Sequence, residues 1–251
     1  MLVNSNICIK CISLLTCIML TACSSVPELE SSAVEPIVPL PDYHQELGVF
    51  SAYDDPWEGF NRRVYYFNAK ADEYVLLPIV DSYKKITPDV VETGLSNFFN
   101  NLGEISTFVN SVLQLKFSVA GETFGRFFIN STLGMVGLLD VATPMGLAEQ
   151  NEDFGQTLGF WGVEAGPYLV LPLLGPSSLR DATGLAFDAL ADQQTLDVLG
   201  MKSEEELYLS LINSIDARAR LPFRYYASGS AFEYEYLKLL YKKFREIQVA
   251  R

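Results

Sequence analysis

Asp55-Pro56-Trp57-Glu58-Gly59-Phe60-Asn61-Arg62-Arg63-Val64-Tyr65-Tyr66-Phe67 is the stretch on which the fold of this chain turns. Asp55 is a capping residue, Pro56 suits the first helical position, and Glu58 stands where it can reach back to the cap. Trp57, Phe60, Val64, Phe67 and Ala71 then recur at helical spacing. The same punctuation repeats downstream. Pro78 is expected to end this helix, and Thr87-Pro88 to open another with Val91, Leu95, Phe98 and Leu102 on one face. Ser178 and Asp181 read as a cap ahead of Leu179, Ala182, Ala186, Phe187 and Leu190. Ser203-Glu-Glu-Glu206 reads as a capping box ahead of Leu207, Leu211 and Ile215. A last helix is expected from Ala231 onward, with Leu237, Leu240, Tyr241, Phe244 and Ile247 on its apolar face. Lys242, Lys243 and Arg245 near its C-terminal end suit the helix dipole. The proportion of capped segments predicts an all-α domain, and the chain shows no internal repeat.

Between these helices the pattern changes twice. From Ile105 to Leu139 the only charges are Lys116, Glu122 and Arg126, and Glu122 and Arg126 stand four apart, a spacing that lets them pair on one helical face. Gly121 and Gly125 share that spacing and would let another helix approach, either as plain close packing or as the small-residue contact common in membranes. From Gly134 to Gly175, recurrent glycines and prolines predict irregular backbone with short helices or a hairpin. Within it, Gly166-Pro-Tyr-Leu-Val-Leu-Pro-Leu-Leu-Gly-Pro176 reads equally as a strand or buried loop and as a loop dipping into lipid.

Upstream of Asp55, Leu20-Thr21-Ala22-Cys23 closes a short apolar run that follows Lys10. The run is shorter than the roughly 20 residues a bilayer-spanning helix needs but has the length of a signal-peptide core. A branched apolar residue, two small residues and a cysteine have the form of a bacterial lipobox. Residues 1–22 are therefore expected to be a lipoprotein signal peptide, and Cys23 the acylated, palmitate-bearing first residue. Several acyl chains make a stable anchor where one does not. Ser24, in place of an aspartate, favours the outer membrane. Residues 23–52, with prolines at 27, 36, 39 and 41, read as a lipidated tether, and residues 53–251 as the helical domain.

Composition narrows the chemistry. The four cysteines lie at positions 8, 11, 17 and 23, so a chain starting at Cys23 keeps no free thiol for a disulfide, thiolate site or nucleophile. The one histidine, His44, precedes the domain, which argues against a histidine triad or a multi-histidine metal site. Loss of the leader removes Lys10 and no acid, taking the net charge from −13 to −14. So acidic a chain does not favour nucleic acid or a polybasic grip on anionic headgroups. There is no nucleophile elbow, phosphate loop or dinucleotide fingerprint. Asp54 and Asp55 read as helix N-terminal charge, and Ser177 and Ser178 beside Arg180-Asp181 as a cap rather than a nucleophile cluster. No catalytic residue, metal or cofactor is expected. On composition alone, a well-filled soluble core and a domain resting in a bilayer stand level.

Six motifs follow in order: Asp55-Pro-Trp-Glu-Gly-Phe-Asn-Arg62, Gly94-Leu-Ser-Asn-Phe98, Gly125-Arg-Phe-Phe-Ile-Asn130, Asp153-Phe-Gly-Gln-Thr-Leu-Gly159, Gly166-Pro-Tyr-Leu-Val-Leu-Pro172 and Gly175-Pro-Ser-Ser-Leu-Arg-Asp181. Together they resemble the MlaA (VacJ) family of outer-membrane phospholipid-transport lipoproteins, from Asp55 to at least Asp188. The resemblance implies a ring-shaped helical domain embedded in the periplasmic leaflet of the outer membrane of a Gram-negative bacterium, with an amphipathic channel through the ring. It implies removal of mislocalised phospholipid from the outer leaflet, association with a trimeric porin, and delivery to a periplasmic lipid carrier and through it to an inner-membrane ABC transport complex. Phospholipid is then cargo, not cofactor. The family's channel-bordering hairpin loop corresponds here to Phe160, Trp161, Gly162, Val163, Glu164, Ala165, Gly166, Pro167 and Tyr168, a candidate gate. The Trp161 indole suits a headgroup boundary. The alternatives are an envelope lipid hydrolase, which releases free fatty acid, and a structural envelope lipoprotein, whose loss leaves lipid asymmetry intact.

Overall fold

A computed structural model describes residues 55–198, 200–227, 230 and 232–250. The expected signal peptide, Cys23 and the tether to residue 52 lie outside these residues. The described chain is mostly helical. Helix α1 (Glu58–Ala71) passes through a π turn (Asp72–Leu76) into α2 (Leu77–Ile86), and α3 (Asp89–Leu113) is followed by α4 (Phe117–Thr132). A 3-10 turn (Thr143–Met145), a short α5 (Phe154–Phe160) and a hairpin of β1 (Tyr168–Leu171) and β2 (Gly175–Ser178) come next. Helices α6 (Leu179–Val198), α7 (Ser203–Arg220) and α8 (Glu233–Ala250) complete the fold. The hairpin is antiparallel, with Tyr168 opposite Ser178 and Leu171 opposite Gly175.

The opening stretch works differently from its local reading. Trp57, not Asp55, precedes the helix, and no side chain caps it. The Asp55 carboxylate instead accepts from the Asn61 amide at 2.8 Å and the Tyr234 hydroxyl at 2.5 Å, tying α1 to α8. Asn61 and Asn68, two turns apart on the buried face of α1, then stand in for a third strand. Asn61 donates to the Tyr168 carbonyl and accepts from the Val170 amide. Asn68 donates to the Leu171 carbonyl and accepts from the Leu173 amide. A buried strand edge would otherwise leave these groups unpaired. A small apolar core of Val64, Tyr65, Tyr168, Val170 and Tyr234 fills the space between.

Other local expectations are corrected by tertiary context. Pro78 does not end a helix: it sits in the first turn of α2, where its missing N–H costs nothing, and the π turn absorbs the change of path. Thr87 and Pro88 do separate α2 from α3. The box before α7 is shifted by one residue, with Glu205 reaching back to the Lys202 amide at 3.0 Å. The Ser178 hydroxyl accepts from the Asp181 amide, as its spacing predicts. Helix α8 starts at Glu233, and Ala231 lies outside the described residues.

Gly121 and Gly125 receive no helix: an added Cβ at Gly121 would meet nothing, and at Gly125 only the Leu147 side chain at 3.5 Å. The close crossing is between α5 and α6. A Cβ on Gly184 would lie 2.3 Å from the Gly155 nitrogen, so that position must lack one, and a Cβ on Gly155 would crowd the Asp181 carboxylate at 2.7 Å and Arg245 at 2.8 Å. That crossing brings the Asp153-to-Gly159 motif against Arg180 and Asp181.

Candidate functional site

The helices bury their polar faces and expose their apolar ones. On α3 the buried set is Ser96, Phe99, Asn101, Glu104, Thr107, Asn110 and Ser111. Val90, Val91, Val109 and Val112 of the same helix face outward. Helix α4 buries Thr123, Arg126 and Asn130 while Phe124 and Phe128 are exposed. The apolar positions of α6 that periodicity selects as a core face are outside as well, with Phe187 at 50% and Leu190 at 62% exposure. On α8, Leu237 and Tyr241 pack against the core but Leu240, Phe244 and Ile247 do not. Apolar surface exposed on several helices at once is rare on soluble monomers and marks a membrane- or partner-facing surface. No helix among the described residues is long and apolar enough to cross a membrane.

The polar interior is bonded rather than empty. The Arg126 guanidinium reaches across from α4 to Glu104 on α3 at 2.6 Å and also donates to the Thr143 hydroxyl and the Leu147 carbonyl. The expected Glu122–Arg126 pair is therefore replaced by a pair between helices. Burial pushes the Glu104 carboxyl above its ordinary range despite the guanidinium, and its second oxygen has no hydrogen-bond partner. Next along the seam, Thr157 donates to Asn110 at 2.8 Å and accepts from Gln114 at 3.1 Å. Asp188 of α6 accepts from the Phe154 amide and from Asn110, and burial raises its carboxyl too.

Beside this seam, Arg245 of α8 joins α5 to α6. It donates to both oxygens of Asp153 at 2.6 and 2.9 Å and to both of Asp181 at 2.8 and 3.0 Å. The Tyr241 hydroxyl adds a bond to Asp181. Burial alone would raise the Asp181 carboxyl; hydrogen bonds from Arg245 and Tyr241 and the nearby guanidinium charges outweigh it and hold it at about 2. Asp153 is held below its ordinary range against burial mainly by Arg245. Arg245 therefore does far more than complement a helix dipole, and spacing alone could not have found its partners so far away in sequence.

The Phe160–Tyr168 segment connects α5 to β1, and the hairpin's own turn falls later, at Pro172, Leu173 and Leu174. Residues 160–166 are exposed, whereas Tyr168 is 1% exposed and belongs to the core. Gly162, at φ +89°, ends α5: its amide donates to the Gly159 carbonyl and the Val163 amide to that of Leu158, the paired bonds of a Schellman cap. Trp161 donates to the Leu113 carbonyl at 3.2 Å and meets Phe154 edge to face. The Ala165 and Pro167 carbonyls accept from the Arg180 and Leu179 amides. Cys23 lies outside the described residues. A cavity of 240 Å³ opens elsewhere, between the π turn, the hairpin turn and the α7–α8 linker. Among the described residues no group of His, Cys, Asp and Glu is arranged to hold a metal ion.

The sequence profile of the MlaA lipoprotein family matches residues 53–248. The chain is 42% identical over 140 residues to the intermembrane phospholipid transport system lipoprotein MlaA of Shigella flexneri, covering 54% of this chain and 56% of that protein. It is 42% identical over 134 residues to the protein of the same name from Escherichia coli (strain K12), covering 52% and 53%. A Rickettsia felis protein is 44% identical over 138 residues, 55% of each chain. The chain thus spans about half the length of the curated relatives it matches. A solved structure described as the structural basis for maintenance of bacterial outer membrane lipid asymmetry superposes with a TM-score of 0.64 at 30% identity, over 78% of this chain and 99% of the other.

Proposed function

The chain belongs to the MlaA lipoprotein family, and from that premise we propose that it is an outer-membrane lipoprotein that moves phospholipid between membranes and maintains lipid asymmetry. In this reading the domain is a ring lying in the periplasmic leaflet, anchored through Cys23. It takes mislocalised phospholipid from the outer leaflet and hands it to a periplasmic carrier that feeds an inner-membrane ABC complex, with a trimeric porin beside it. The relatives named as phospholipid-transport lipoproteins support the cargo. One observation carries the placement: apolar helix faces turn outward while Asn, Thr, Gln, Glu and Arg turn inward.

The physical task fits such a body. Dragging a polar headgroup through hydrocarbon costs several kcal/mol, on the order of 2–7 for even one unpaired polar group. Polar side chains along a path remove most of that cost, while acyl tails stay against apolar ones. No covalent step or nucleotide site is required in this subunit. Deleting the protein is expected to raise phospholipid in the outer leaflet, and supplying it again to restore the wild-type level. Unchanged asymmetry would make it a structural lipoprotein, and fatty acid released by the purified chain would make it a hydrolase.

Two substitutions probe the reading. Cys23→Ser removes the thiol that acylation needs, so the precursor is expected to stay uncleaved or misplaced on membrane fractionation. Normal outer-membrane recovery with full function would show that the domain's own apolar surface suffices. The Phe160-to-Tyr168 segment is the proposed gate, with its moving part in the exposed residues 160–166. Gly162→Val puts a β-branched residue at φ +89°, a strain of about 1–2 kcal/mol. That lowers the melting temperature by about 2–8 °C. Altered lipid flux in the folded variant supports a gate; normal lipid asymmetry with only the lowered melting temperature leaves a structural helix cap.

A further inference from the structure

The 240 Å³ cavity lies apart from the polar seam and has a different wall. Tyr65, Leu76, Pro176, Phe223, Tyr225 and Leu237 supply carbon surface. The charged and amide side chains in the wall are already committed to protein partners. Arg218 donates to both oxygens of Asp72, at 2.6 and 2.7 Å, and to the carbonyls of Leu221 and Phe223, each at 3.0 Å. The Asn68 amide is committed to the strand edge on both sides, at 2.9 Å to the Leu171 carbonyl and 2.7 Å from the Leu173 amide. An entering phosphate would find four of the five Arg218 N–H donors committed and the guanidinium charge already matched by the Asp72 carboxylate, so the desolvated anion would be poorly paired and repelled by Asp72. A hydrocarbon chain asks for none of these groups.

The rim points the same way. Leu173, Leu174 and Leu221 line the cavity and are at least half exposed. Leu173 stands at φ +64°, a left-handed conformation in which a leucine is costly, and its amide bond to Asn68 holds it there. Two leucines are thus kept at the hairpin turn with their side chains uncovered. The space is smaller than the roughly 300–1,000 Å³ of sites that enclose whole drug-sized ligands. It suits part of one chain, not a complete two-tailed lipid.

We propose that this cavity takes the end of one acyl chain of a membrane phospholipid, admitted past Leu173 and Leu174 with the headgroup left outside. The inference rests on the reading of the domain as a phospholipid-transport protein. It separates a tail-holding cavity under the hairpin from the polar seam between α3, α4 and α5.

The test is fluorescence quenching in the full lipidated protein, purified in detergent, with Trp57 and Trp161 both replaced by Phe. Phe223→Trp reports from the cavity wall and Phe244→Trp from the outer face. One equivalent of phospholipid brominated along its acyl chains is expected to reduce Phe223→Trp emission at least twofold and leave Phe244→Trp, bathed in detergent, little changed. Leu76→Trp, also in the cavity wall, serves if Phe223→Trp does not fold by circular dichroism. Absent quenching at both wall positions, or equal quenching at the wall and at the outer face, overturns the cavity assignment. Loss of the cavity with intact dependence of lipid asymmetry on the protein leaves the transport reading standing; quenching without that dependence removes transport and keeps the cavity.

Discussion

Arg245→Ala is expected to lower the unfolding free energy of the domain by about 3–5 kcal/mol, the range for removing one partner of a buried ion pair. The substitution deletes four bonds to the two carboxylates and a fifth to Gln248, leaving Asp153 without its cation and Asp181 with only Arg180 and Tyr241 as side-chain donors. Arg245→Lys is expected to recover little, because an ammonium cannot serve two carboxylates in the same fork. The effect has a pH signature. Both carboxyls are depressed in the folded state, Asp181 to about 2. Their contribution is complete above the unfolded value of about 3.9. It is lost as pH falls through the folded values. Denaturant melts of wild type and variant are therefore expected to differ most above pH 4 and to converge toward pH 2. A gap that stays constant over that window would mean that Arg245 acts through packing alone.

Arg126→Ala should be about as severe, about 3–5 kcal/mol, for a related reason. Arg126 and Glu104 are each only 2% exposed, so the variant leaves a carboxylate buried without its cation. Glu104 is already pushed up by burial and then takes a proton more readily still. Adding Glu104→Gln is expected to restore part of the loss, since a neutral amide is cheaper to bury than an unpaired charge. Equal stability of the single and double variants would show that the seam is held by the Thr143 and Leu147 contacts instead. Chemical denaturation in detergent reads both.

The helices and several of their ends were legible because caps and periodicity are local, although Asp55 and Pro78 do not mark ends. Thr87-Pro88, Ser178 with Asp181 and the acidic start of α7 all act within a few residues of where they are written. The direction in which each helix faces was not legible. An apolar stripe such as Phe187 and Leu190 has the same spacing whether it meets a core or a bilayer, and periodicity reports two faces without saying which is inside. The candidate site suffered from a second cause, which is distance along the chain. Asp55 looked like a cap because Tyr234 is 179 residues away. Arg126 looked like a partner for Glu122 because Glu104 stands on another helix. Gly155 and Gly184 carry a close crossing that neither shows alone. The ordered motifs nonetheless marked these positions: Asn61, Arg126, Asn130, Asp153, Gly155, Gly159, Arg180 and Asp181 all fall inside them. What remained open was the work each residue does.

The claim that the apolar helix faces lie in lipid can be measured directly. Spin labels at single cysteines replacing Phe124, Phe187 and Phe244 are placed on three helices, and the protein is reconstituted into phospholipid vesicles. Because Cys23 carries lipid in the expected mature form, each label is unique. The account predicts that oxygen, which concentrates in hydrocarbon, relaxes all three labels more strongly than a water-soluble nickel chelate does. Chelate access at all three positions equal to that of a label in free solution would contradict it, and would return these faces to water.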